Sequence, residues 1–217
     1  MKTATLLSSV TAGLLLSLQA GALPLVVSGF EYASNPTTAR IQNTSPAASA
    51  HVYSGGFLTD AGGNSFTSWC VDIFQHTYFG QTVNDYSLAS GQAALGAGKA
   101  DALGRLATQA LSSVHDSATS GAFQLAIWEI VNETSGTYNL TAGNFRASDV
   151  SNGSLAIAQN WLGNLGSLNQ YTVSVWQSRS RQDLAMFERV TVPEPASLTI
   201  LGVALAAAAV ARRRKAR

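Results

Sequence analysis

Phe66-Thr67-Ser68-Trp69-Cys70-Val71-Asp72-Ile73-Phe74 is the stretch on which the reading of this chain turns. Aromatic and β-branched side chains fit a pleated, half-buried surface, so the run predicts a strand. Asp60-Ala61-Gly62-Gly63-Asn64 just before it predicts a turn. His51–Leu58 predicts a preceding strand, and residues 53–73 together read as a hairpin. The second strand carries Cys70, the only cysteine of the 217 residues.

Further along, Ala122-Phe123-Gln124-Leu125-Ala126-Ile127-Trp128-Glu129-Ile130-Val131 predicts a helix over residues 121–132, capped by Thr119 or Ser120. At about 100° per residue, Phe123, Ile127, Ile130 and Val131 share one face. Glu129 and Glu133 fall opposite and read as a solvated face, with Leu125 an apolar exception on that side. Gln124 points between Val131 and Trp128, toward the buried side. A buried carboxamide without partners costs a few kcal/mol, so it needs something to bond.

The remainder alternates between helix and strand signals. An apolar period predicts an amphipathic helix over Lys99–Val114 and a shorter one over Ser154–Leu165, with Leu155, Ala158, Trp161 and Leu162 inward. Tyr171–Trp176 alternates as a strand, residues 179–183 turn, and Leu184–Val192 returns. The expected fold class is α+β: an antiparallel β-sheet or sandwich with a helical insert.

Both termini carry targeting signals. Met1-Lys2, the largely apolar Leu6–Leu18 and the small residues Ala20-Gly21-Ala22 form a signal-peptide pattern, with cleavage after Ala22. At the other end, Val192 precedes Pro193-Glu194-Pro195, an uncharged stretch Ala196–Ala211 and the basic end Arg212-Arg213-Arg214-Lys215-Ala216-Arg217. Sixteen helical residues would extend about 24 Å, enough to engage a bilayer as a transmembrane helix. The basic end would stay cytoplasmic. The expected organisation is a signal peptide over 1–22, an extracytoplasmic α+β domain over 23–191 and a sorting and anchor segment over 192–217.

Charge narrows the function classes. The net charge of +1 comes from the ends. The middle domain holds seven basic and eleven acidic residues, which argues against a nucleic-acid partner. No ligand spacing for a metal and no glycine-rich nucleotide loop is visible, so no cofactor is expected.

An odd cysteine in an exported protein needs a reason. It could form an intermolecular disulfide, act as a thiolate, lie inert in the core, or enter another covalent bond. A hydrolase would need a histidine partner, and the chain has His51, His76 and His115. On a continuous strand His76 would lie about 20 Å from Cys70. His115, before the Gln124 helix, is the better candidate. Asp72, near Cys70, could be a catalytic acid but reads more simply as a turn or edge residue.

Two family resemblances follow from these residues. Pro193-Glu194-Pro195, an apolar stretch and an arginine-rich end resemble the PEP-CTERM sorting signal. That resemblance implies recognition by an exosortase in an exopolysaccharide-making Gram-negative bacterium. It also implies an inner-membrane-anchored precursor, then residence at the cell surface or in the matrix. The aromatic-Cys strand followed by Phe123-Gln124-Leu125-Ala126-Ile127-Trp128 resembles the thioester domains of bacterial surface adhesins. That resemblance implies an internal thioester between Cys70 and Gln124, shielded from water by Trp69 and Trp128. It also implies adhesion to an amine-bearing surface ligand or exopolysaccharide. Such a bond is a single-use covalent graft and not turnover, so the chain is expected not to be an enzyme. A non-reactive structural protein of the exopolysaccharide matrix and a cysteine hydrolase are the alternatives.

Overall fold

The computed structural model describes residues 22–191. Nine strands and four α-helices follow one another within that span. They are β1 (Leu23–Phe30), β2 (Thr37–Asn43), β3 (Ala48–Ser54), β4 (Phe57–Ala61), β5 (Asn64–Cys70), β6 (Thr82–Ser90), α1 (Gly91–Leu95), α2 (Ala97–Ala110), α3 (Ser117–Asn132), β7 (Phe145–Ser148), α4 (Ser154–Gly163), β8 (Tyr171–Gln177) and β9 (Leu184–Arg189). The strands pair antiparallel. Six of them close a barrel in the order β1-β4-β5-β9-β8-β6, and β3-β2-β7 form a separate three-stranded sheet. The α+β class is thus observed, with a closed barrel beside a small sheet where a single sheet or sandwich was expected.

The predicted glycine turn is the β4–β5 hairpin. Ala61 pairs with Asn64, and Gly62 and Gly63 between them take positive φ of 63° and 90°. Two-residue hairpins need that backbone, which glycine adopts without steric cost. The strand expected over His51–Leu58 is instead broken. Its first half is β3 in the small sheet and its second half is β4 in the barrel. The break falls at Gly55-Gly56, where a Cβ on Gly56 would stand 2.9 Å from the Trp69 ring. Trp69 therefore occupies the space a side chain at 56 would need.

Helix α3 is the axis of the molecule. It packs on β2, β3, β5 and β7 and on helices α2 and α4. It starts one turn earlier than expected because Asp116, not Thr119 or Ser120, caps it. The Asp116 side chain accepts from the Thr119 N–H (2.8 Å), and the Thr119 hydroxyl answers in a capping box. Every residue from Ser120 to Ile130 is buried. That overturns the expected polar face: Leu125 and Glu129 are fully buried and Glu133 nearly so. Period-3.6 reasoning assumes one wet side, and this helix is covered on all sides.

Other elements match their expected places. The closing hairpin is β8–β9, and the helix expected over Lys99–Val114 is α2 followed by a 3₁₀ turn, Leu111–Ser113. In α4, Ala158 and Leu162 are buried as expected, whereas Leu155 and Trp161 are only half-buried. No helix among the described residues is long and apolar enough to cross a membrane. The expected signal helix and the expected span over Ala196–Ala211 lie outside the described residues.

Candidate functional site

Cys70 is the last residue of β5, where the barrel closes. Only Trp69 and Cys70 of that strand pair with β9, opposite Ala185 and Leu184. Gln124 sits mid-way along α3. Although the two residues lie 54 positions apart, the Cys70 N–H donates to Gln124 Oε1 (2.9 Å), and Gln124 Nε2 donates to the Cys70 carbonyl (2.7 Å). The carboxamide thus lies along the peptide edge of the cysteine, with both residues almost wholly buried. The glutamine expected to need partners finds them in the backbone of the chain's only cysteine.

Three contacts fix this register. Ser54 Oγ donates to the Gly121 carbonyl (2.9 Å), and the Gly56 N–H donates to Ser120 Oγ (2.9 Å). Trp69 stacks edge-on against Phe123 with ring centroids 4.6 Å apart. The residues of α3 that lead up to Gln124 are therefore pinned to the β3–β4 break and to β5.

Burial pushes the Cys70 thiol well above its usual range, and the Asp72 and Asp183 carboxylates add to the rise. A hydrogen bond from the Gln182 side chain opposes it. Gln182 is itself held: Tyr86 Oη donates to its carbonyl (2.8 Å) and its Nε2 donates to the Asp72 carbonyl (2.9 Å). Asp72 Oδ1 accepts from the Phe74 N–H at 2.7 Å, the turn role expected for it.

Cys70 and Gln124 line a cavity of about 300 Å³, at the small end of ligand sites. Trp128 lines it too, and its indole N–H is buried without a partner. Trp69 does not line it and faces Phe123 and Gly56 instead. Of the two tryptophans expected to shield a bond between Cys70 and Gln124, only Trp128 stands in the cavity with them.

The histidines are placed differently from expectation. β5 ends at Cys70 and the chain folds back, so His76 lines the same cavity, as does His51 from β3. Neither was expected there, because a continuous strand would have carried His76 away. His115 lies exposed before α3, bonding the Ser113 carbonyl (2.7 Å) and lying 3.7 Å from Asp116. It does not line the cavity. Among the described residues no cluster of three His, Cys, Asp or Glu could hold a metal ion.

Glu129 and Glu133 form a second buried polar group, sealed by the loop after α3. Glu129 Oε1 accepts from the Asn139 N–H (2.6 Å) while Oε2 has no partner. Burial pushes its pKa up to about 7, with Glu133 adding to the rise and the Asn139 bond opposing it. Glu133 accepts from the N–H groups of Thr134 (2.8 Å), Ser135 (2.9 Å) and Asn144 (2.7 Å). Against the opposing effect of burial, those bonds leave its pKa lowered.

No curated protein sequence matches the chain. One solved structure that the chain matches is the N-terminal thioester domain of a surface protein from Clostridium perfringens, in a cysteine-to-alanine mutant. The TM-score is 0.43 and the identity 12%, over 61% of this chain and 89% of that one, too little to carry function from one to the other. Residues 191–215 match the family model of the PEP-CTERM protein-sorting motif, a stretch that contains Pro193-Glu194-Pro195. The chain therefore ends in a PEP-CTERM sorting motif, the signal that exosortase recognises, and is an exported surface protein processed at the membrane.

Proposed function

We propose that the domain over residues 23–191 is a covalent adhesion module that works through an internal thioester between Cys70 and Gln124. The observation that carries this reading is the pair of hydrogen bonds joining the Gln124 carboxamide to the Cys70 backbone at the wall of a cavity. These bonds hold the carboxamide against the residue that carries the thiol, and held proximity supplies much of the barrier reduction in such reactions.

The chemistry balances without a co-reactant. The Cys70 sulfur adds to the Gln124 carboxamide carbon, and the developing oxyanion sits at Oε1, where the Cys70 N–H already donates. The thiol proton passes to the carboxamide nitrogen, the C–N bond breaks, and ammonia leaves. Burial of Cys70 opposes a free thiolate. The thioester has no proton to lose, so the same burial costs it nothing and limits its hydrolysis. An outside nucleophile reaching the cavity would then attack the acyl carbon and remain attached to Gln124.

A cysteine hydrolase gains some support from His51 and His76, which line the cavity beside Cys70. It is opposed by the raised thiol pKa, because hydrolases of this kind lower it. The remaining alternative is a non-reactive component of the exopolysaccharide matrix. Methylamine labelling of the full-length protein separates the three. A thioester gives one stable amide, mapped to Gln124 and absent in Cys70→Ala. A hydrolase gives no stable adduct and loses turnover on His76→Ala or His51→Ala. An inert domain gives neither adduct nor turnover.

A further inference from the structure

The cavity over Cys70 and Gln124 has a composition that selects what can enter. Its mouth is aromatic: Phe30, Phe57 and Phe79 form a triangle with centroid separations of 5.1, 5.4 and 5.8 Å, and Tyr53 packs 6.1 Å from Phe30. Tyr53 and Phe79 are exposed there. None of the residues lining it is Asp, Glu, Lys or Arg. Asp72 and Asp183, the carboxylates that act on the Cys70 thiol, do not line it. Polar groups lie deeper. Trp128 and Thr77 line the cavity, and the indole N–H of the one and the hydroxyl of the other are buried without a partner.

An indole N–H can only donate. A buried donor without an acceptor costs about 1–3 kcal/mol, so the cavity is suited to a guest that brings an oxygen acceptor. An ammonium group brings none and would find no carboxylate to balance its charge. A neutral polyol brings hydroxyls that both donate and accept, and its flat apolar face stacks on aromatic rings. Hydroxyls are weak nucleophiles that need a base. His51 on β3 and His76 on the returning loop supply imidazoles on this wall, the side chain best suited to take a proton near neutral pH.

Building on the thioester reading, we propose that the acyl acceptor is a carbohydrate hydroxyl, activated by the His51–His76 pair and oriented by Trp128. In the step, the sugar oxygen attacks the Gln124 acyl carbon and its proton moves to an imidazole. The C–S bond breaks, and the departing Cys70 thiolate recovers the proton. Thioester and alcohol become ester and thiol, with no change of oxidation state.

The test incubates full-length protein with maltose or methylamine and follows intact mass. Maltose should add one disaccharide at Gln124 through a linkage that hydroxylamine cleaves. The His51→Ala/His76→Ala double variant should form that ester about a hundredfold more slowly, while the methylamine rate falls by less than about tenfold. Trp128→Phe keeps an aromatic ring, though a smaller one, but lacks the donor, and should need more maltose for half-maximal labelling. Methylamine addition without maltose addition would overturn the proposal and leave the thioester standing. An ester that forms at the wild-type rate in the double variant would overturn the role of the histidines. No adduct with either probe would overturn the thioester and this proposal together.

Discussion

Gly121 of α3 lies so close beneath Thr37 of β2 that a methyl group at position 121 would collide with the threonine Oγ1 and Cβ. The same hydroxyl bonds the Ser117 carbonyl (2.9 Å) and Ser154 Oγ (2.9 Å), so one buried threonine ties β2 to two helices. Gln124 lies one turn further along α3. The height at which its carboxamide meets Cys70 is thus set by how closely α3 can approach the small sheet.

Gly121→Ala should therefore destabilise the protein by about 1–3 kcal/mol, the usual cost of overpacking. It should also slow methylamine labelling by lifting Gln124 from the Cys70 backbone. Adding Thr37→Ala, which removes the hydroxyl it strikes, should recover part of the loss. Urea melts of the single and double variants check both. Wild-type stability in Gly121→Ala would contradict the close packing.

Glu129 should give the fold a pH dependence. Its pKa is about 7 in the folded protein, above the ordinary glutamate value of about 4.3. A raised pKa means the folded state holds the proton more tightly than the unfolded chain. The contribution of this carboxyl to stability is then fully present below about pH 4.3 and is lost as pH rises through about 7. The size is roughly 4 kcal/mol. Glu129→Gln keeps an acceptor for the Asn139 N–H and cannot ionise. It should gain on wild type as pH rises across that window, measured as the difference in urea midpoint. A constant difference would show that Glu129 does not titrate there.

Asp116 acts in the opposite sense. Bonds from the Thr119 hydroxyl and N–H hold its pKa below the usual carboxylate value. The stability it lends is present at neutral pH and is lost as pH falls through its folded pKa. Asp116→Ala should cost about 1 kcal/mol at neutral pH, and Asp116→Asn clearly less, because asparagine also caps. Thermal melts at neutral pH separate the two variants, and equal losses would argue against the cap.

The sorting motif lends itself to a test in the host. Replacing Pro193-Glu194-Pro195 with alanines should leave full-length protein in the membrane fraction and deplete the surface pool. Undiminished surface protein would mean that another feature of the chain directs it.

Much of this architecture was legible in the sequence because local chemistry specified it. The Gly62-Gly63 turn, the aromatic strand that carries Cys70 and the alternation of Tyr171–Trp176 each follow from residues close together in the chain. The burial of Gln124 was legible too, since its neighbours on α3 are apolar. What could not be read depended on distant segments. Glu129 and Glu133 look solvated until the N–H groups of Asn139 and Asn144 fold over them. The break at Gly55-Gly56 depends on Trp69, and the return of His76 to the cavity depends on where β5 stops. The Asp116 cap left a local signal: an aspartate three residues before Thr119, each able to bond the other's backbone.

The central claim concerns one covalent bond, and intact mass measures it directly. Full-length protein purified without amines or reducing agents should weigh less than its sequence by one ammonia, counted after any signal-peptide loss. Cys70→Ala and Gln124→Ala should each show their full sequence mass. Full mass in the wild type, with Cys70 open to alkylation in the folded protein, would contradict the thioester.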